Sequence, residues 1–209
     1  MTPILSSPIF EDGSDQFDDS FKKLDISTAT LKKVRFQTCQ FTKCIFNETV
    51  FIDCSFRNCH FANCEFNLAK IDGCQFIDCV FEGTKLVGLN WTDTNLFSQN
   101  PSRLSNTLIF RDCVLNHSSF MGCNLTEAEL TDCLAREMDL SDANLTRSVC
   151  TGTDFSGTRF WHTNLTSADL RQAKNYTIAA NLNTLKHTKF SLPEAMSLLH
   201  SLDIELSEN

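Results

Sequence analysis

The side chains best able to do chemistry in this chain are its eleven cysteines and five histidines. Ten of the cysteines, Cys39, Cys44, Cys54, Cys59, Cys64, Cys74, Cys79, Cys113, Cys123 and Cys133, recur at intervals of five residues or multiples of five within each of two runs. Thiolates at that density suggest zinc or disulfides. Zinc sites favour C-x2-C pairs with a second pair at a distance, whereas the interval here is C-x4-C. His60, His117, His162, His187 and His200 keep no constant partner. No metal or other cofactor is therefore expected. No glycine-rich phosphate loop is present, and Ser, Thr and His form no recognisable nucleophile arrangement, so no catalytic residue is assigned and the chain is not expected to be an enzyme.

The spacing becomes intelligible through the elements that must hold it. Each of those cysteines lies two residues before an apolar residue, and that apolar residue recurs every fifth position. Counting from Phe21 gives sixteen unbroken centres ending at Trp91 and Leu96, and the count resumes out of phase at Phe110 for thirteen more, ending at Leu170. Fourteen of the eighteen phenylalanines fall on these centres. A fixed short period is the signature of a solenoid, in which each unit buries its apolar side only by stacking on its neighbours. Where the slot two residues earlier is not Cys it holds mostly Ala, Thr or Ser, so cysteine acts there as a small hydrophobe. With four units to a coil, Cys39, Cys59 and Cys79 would stack, as would Cys44 with Cys64, Cys54 with Cys74, and Cys113 with Cys133. A spacing of about 4.8 Å lies within the range for a bridge. In-register parallel side chains, however, hold their Cβ atoms farther apart than the ~3.8 Å a bridge prefers, and the cytosol is reducing. Free thiols are expected.

The net charge is -8, unevenly spread. Residues 1–20 carry five acids and no base, 21–96 nine bases and eight acids, and 105–175 nine acids and six bases. Without clustered Lys and Arg, direct binding to nucleic acid is not expected. An acidic surface suits basic partners, or serves only solubility. No stretch approaches a membrane span and no signal peptide is visible, so a cytoplasmic protein with no small-molecule substrate is expected.

Units such as Ala143-Asn144-Leu145-Thr146-Arg147, Thr153-Asp154-Phe155-Ser156-Gly157 and Ala168-Asp169-Leu170-Arg171-Gln172 read as A(D/N)LXX. Over about residues 19–174 the chain resembles the pentapeptide-repeat family. The resemblance implies an all-β solenoid, a right-handed quadrilateral β-helix. Residues 189–206, KFSLPEAMSLLHSLDIEL, together with Gly88-Leu89-Asn90-Trp91-Thr92, are similar to the topoisomerase-protecting branch of that family, the albicidin self-resistance and Qnr-type quinolone-resistance proteins. That likeness implies a homodimer joined through its C-terminal ends, with DNA gyrase or topoisomerase IV as partner.

The expected organisation is an acidic N-terminal segment, 1–18, a β-helix over 19–174 interrupted at about 97–109, and a capping and dimerisation segment, 175–209. Ser191-Leu192-Pro193-Glu194 reads as a capping box opening a short C-terminal α-helix. That helix presents Leu192, Ala195, Met196, Leu199 and Leu202 on one face and leaves Leu198 off it. It either caps its own column or also pairs with a twofold mate through Leu192, Met196, Leu198, Leu199 and Leu202. The interruption, with turn residues Asn100 and Pro101 and with Arg103, is either a protruding recognition loop or a phase-correcting bulge. Trp91 beside it would fill a widened interior. Asp112 and Asp132 would share one side of the column, as would Asp53 and Asp93, giving a partial acidic ladder for the partner. Two functions follow: DNA mimicry protecting a type II topoisomerase, or a repeat scaffold for some other protein.

Overall fold

A computed structural model describes residues 10–97, 107–202 and 204. Backbone pairing repeats every twenty residues: Asp15 with Arg35, Ser20 with Gln40, Asp25 with Ile45 and Thr30 with Val50. Twenty residues are four five-residue units, so each coil turns through four walls of a parallel β-solenoid. The first wall stacks Asp15–Phe17, Arg35–Gln37, Ser55–Arg57 and Gln75–Ile77, and the second stacks six strands from Ser20–Lys22 to Glu129–Thr131. The third is a column of single bridges from Asp25 to Lys174, and the fourth holds Thr30–Lys32, Val50–Ile52 and Lys70–Asp72.

Each strand is three residues long, with its centre turned inward and its flanks outward, as side-chain alternation requires. The residue two beyond the centre then turns the corner with positive φ, for example Lys23 at 54°, Thr38 at 58° and Asp112 at 52°. Most of these corners are not glycine, so each carries a local strain of order 1 kcal/mol. Stacking over-determines them: the corner N–H donates to a carbonyl nineteen residues on, as Lys23 does to Thr42 and Thr38 to Arg57, at 2.9 and 2.8 Å.

The interior is a file of rings. Phe61 lies 4.8 Å from Phe41 and 4.8 Å from Phe81, nearly parallel to both, and meets Phe56 of the adjacent wall edge-on at 5.7 Å. Offset and edge-to-face contacts are the arrangements the ring quadrupole favours. Trp91 is fully buried and stacks on Phe120 at 5.1 Å. It does sit in the column beside the interruption, and its indole Nε1 has no partner among the described residues.

Across the interruption Val80 pairs with Ile109, Lys85 with Val114 and Asn90 with Ser119, an offset of 29 in place of twenty. The coil therefore holds 29 - 20 = 9 extra residues, two units less one, while the walls remain in register. A one-residue bulge does not account for this; an inserted segment does. Asn100, Pro101 and Arg103 lie outside the described residues.

Both ends of the column extend past the expected bounds. Strand Asp15–Phe17 already pairs with Arg35–Gln37, inside the segment expected to precede the solenoid, because its inward position is Gln16 and an apolar count passes over it. Phe10 covers the opening, 5.4 Å from Phe21 and 5.2 Å from Phe36. At the other end Asn164 pairs with Thr184 and Asp169 with Lys189, beyond residue 174.

The C-terminal helix differs from the expected α-helix. It is a 3-10 helix, Glu194–Leu202. The Ser191 hydroxyl oxygen does not cap it but accepts the Gln172 N–H at 3.2 Å. Three residues per turn align i and i+3 in place of an α stripe. Ala195, Leu198 and Ser201 accordingly lie along one line, where Leu198 packs on the core and the Ser201 Oγ accepts the Ala180 N–H at 2.8 Å. Leu198 is thus inside, not off the packed face.

Candidate partner-binding surface

All eleven cysteines are buried and free, and the stacks expected from a twenty-residue coil form. The slot selects for more than size. The Cys59 Sγ lies 3.5 Å from the Phe36 carbonyl oxygen, the Cys64 Sγ 3.4 Å from that of Phe41, and the Cys133 Sγ 3.4 Å from that of Phe110. Hydroxyls do the same in this slot, with Thr49 donating to Ile26 at 2.8 Å and Ser118 to Leu86 at 2.7 Å. At these positions the slot residue is a small donor to the carbonyl of the centre one coil below, while Ala69, Ala128, Ala143 and Ala168 fill the same slot by size alone. Burial pushes the Cys123 and Cys150 thiols up to about 12, which holds them protonated and poor nucleophiles at neutral pH. Among the described residues no group of three or more His, Cys, Asp or Glu is placed to hold a metal ion.

The chemistry open to a partner lies on the outside, where most acids of the second run are already paired. Of the nine acids in 105–175, five meet an arginine: Glu127 with Arg147, Glu129 with Arg111, Asp139 with Arg159, Asp154 with Arg136 and Asp169 with Arg171. The Arg111 guanidinium beside Glu129 and the Arg171 guanidinium beside Asp169 hold those carboxyls below their usual range. Glu137 and Asp142 face His117 and His162 at 3.2 and 3.5 Å. The two left over are Asp112 and Asp132, both exposed and making no ion pair among the described residues.

These two are successive corner residues between the second and third walls, with φ of 52° and 54°. Register, not local sequence, brings them together, since the Asp112 N–H donates to Thr131 and the Asp132 N–H to Thr151 one coil on. Gly152 follows in the same column, and a Cβ there would stand 2.0 Å from the Asp132 Oδ1. Asp53 and Gly73 repeat the relation at the opposite corner, where the corresponding distance is 2.3 Å, and so Gly73 separates Asp53 from Asp93. Gly152→Ala is expected to lower stability by about 1–3 kcal/mol, because its φ of 71° and the aspartate both resist a side chain. Urea unfolding checks this, and restoration of most of the loss by Asp132→Ala in the same chain would separate the contact from the backbone strain.

At the C-terminal end Leu192, Met196, Leu202 and Ile204 are 76%, 46%, 46% and 50% exposed, an apolar cluster with no covering element among the described residues. Leu199 is half-buried. Thus Leu192, Met196 and Leu202 of the expected interface are free to meet a partner, while Leu198 faces its own column.

A column of stacked five-residue units with apolar centres inside and polar flanks outside defines the class of protein. The model of the pentapeptide repeat region matches residues 15–91 and 55–134, and that of eight pentapeptide repeats matches 136–172. The chain belongs to the pentapeptide-repeat family. Among solved structures it is similar to two trypsin-treated variants of QnrB1, a plasmid-mediated fluoroquinolone resistance protein. One is 18% identical with a TM-score of 0.63, covering 94% of this chain and 93% of that chain. The other is 18% identical with a TM-score of 0.60, covering 94% and 91%. At that identity the likeness is one of fold. No curated protein matches the chain.

Proposed function

We propose that this protein is a non-enzymatic DNA mimic that binds DNA gyrase or topoisomerase IV in the cytoplasm and protects it from a topoisomerase poison, acting as a homodimeric rod. The observation that carries this reading is the Asp112 and Asp132 pair, two exposed carboxylates without a cation among the described residues, on a column whose other second-run acids face Arg or His. Coils about 4.8 Å apart line these charges along the column axis, a sparser file than the roughly 3.4 Å axial rise per charge on one DNA strand. Bulk charge does not suffice: a column of roughly 35–40 Å matches a length of duplex with about 20 charges, against a net -8. Mimicry therefore rests on the rod and on this edge. The resistance role named for QnrB1 supports the same direction.

Gyrase supercoiling and topoisomerase IV decatenation in the presence of a fluoroquinolone test it. Added protein is expected to restore turnover, and Asp112→Asn with Asp132→Asn to raise the half-restoring concentration about tenfold, or ~1.4 kcal/mol. The absence of both rescue and inhibition at micromolar protein would overturn the reading for that poison. Recovery of a different partner by affinity capture would then favour the scaffold function.

A further inference from the structure

A second exposed feature lies on the fourth wall, and the acidic edge does not account for it. Trp161 is 48% exposed and Met121 45% exposed. The fourth wall continues past Lys70–Asp72 through Asn90, with Ser119 bridged to Asn90, Asp139 to Ser119 and Arg159 to Asp139, so the two residues occupy the same outward position two coils apart, about 10 Å at sheet spacing. Between them stands Ser141, which also points outward yet is only 7% exposed, and its hydroxyl has no partner among the described residues. The side chains placed to cover it are those at the same position one coil below and one coil above, Met121 and Trp161. Met121, Ser141 and Trp161 therefore form one apolar strip along the column.

Charge beside the strip has one predominant sign. Asp93, Asp139 and Asp142 stand against Arg159, whose guanidinium is 3.9 Å from Asp139. His162 links the strip to the acid, its ring 5.2 Å from the indole of Trp161 and its Nδ1 3.5 Å from the Asp142 Oδ1. An exposed indole beside a carboxylate suits a cation, which the ring face attracts and the carboxylate pairs. Tryptophan and arginine also dominate binding energy where protein surfaces meet.

We propose that this strip is a docking surface for a basic protein segment, with an arginine side chain laid on Trp161 and paired with Asp142. The site is independent of the Asp112 and Asp132 edge, which lies at the diagonally opposite corner of the four-walled column.

Fluorescein-labelled hexa-arginine, followed by anisotropy at low salt, is the probe. It is expected to bind the wild-type chain, with unlabelled hexa-arginine competing and an uncharged hexaserine failing to compete. Trp161→Ala should weaken binding at least tenfold, Trp161→Phe by less, and Asp142→Asn severalfold, while Asp112→Asn with Asp132→Asn changes it less than twofold. Trp91 is fully buried, so a peptide-induced change in tryptophan emission reports Trp161. Circular dichroism confirms that the variants fold, as expected for an exposed side chain. The proposal is overturned if the peptide does not bind, if Trp161→Ala binds as tightly as wild type, or if the opposite edge matters as much, which would indicate charge alone. It is also overturned if Trp161→Ala changes the sedimentation coefficient, since the strip would then be covered by a second copy.

Discussion

Replacing Phe61 by alanine is expected to lower the unfolding free energy by about 3–5 kcal/mol, the largest effect of any single truncation considered. The ring is fully buried between Phe41 and Phe81 at 4.8 Å on each side, and it meets Phe56 and Phe66 edge-on at 5.7 and 5.3 Å. Removing it deletes apolar transfer energy and leaves a gap that five-residue units cannot close, because the carbonyl and thiol bonds between coils fix the walls around it. Each coil touches only its neighbours, so the loss should also divide the column. Urea unfolding is expected to shift its midpoint downward and broaden or split into two transitions, with the ends retaining structure longer than the centre. Phe17→Ala, at a position 57% exposed, serves as the control and should change stability by less than about 1 kcal/mol. Equal costs at Phe17 and Phe61 would refute the stacked-ring account of stability.

The second large effect concerns assembly. If the exposed cluster of Leu192, Met196, Leu202 and Ile204 is covered by a twofold mate, Met196→Asp places an unpaired carboxylate in an apolar contact. Such a group costs roughly 3 kcal/mol, which weakens association by about a hundredfold. Sedimentation velocity at micromolar concentration should show a dimer for the wild-type chain and a monomer for the variant. Thermal unfolding of the column itself should change little, since Met196 is 46% exposed in the single chain. Leu198→Ala should do the reverse, loosening the last coil through its contact with the core. An unchanged dimer in Met196→Asp would show that the chain associates elsewhere or through the column walls.

Much of the column was legible in the residues. The inward position was readable because burial demands an apolar side chain at a fixed phase, and the thiol stacks followed once four units were taken as one coil. What escaped notice has definite physical causes. Gln16 took an inward position at the open end of the column, where burial is incomplete and an apolar side chain is not required, so the first strand went uncounted. The small slot read as a matter of size because cysteine, threonine and alanine share it, yet the donor in Cys59 or Thr49 has a role visible only beside the carbonyl one coil below. The tail carried a convincing α stripe, but tertiary packing tightened it to a 3-10 helix and exchanged Leu198 for Met196 on the outer side.

The sequence by itself determined a solenoid of five-residue units with one apolar phase turned inward, because each unit can bury its ring only against its neighbours; that four units close one coil is read from the pairing at intervals of twenty. Only the tertiary structure decided which exterior acids are left without an ion pair among the described residues. The spacing of twenty already set Asp112 beside Asp132, but on charge alone Glu129 or Asp154 would have served as well, and Trp161 is an ordinary outward residue in the chain. The difference lies in what stands one coil away: an arginine for Glu129 and Asp154, another carboxylate for Asp112, and a covered serine for Trp161. Neighbours twenty residues apart in the chain and about 4.8 Å apart in space are set by register, and register exists only once the coils have stacked.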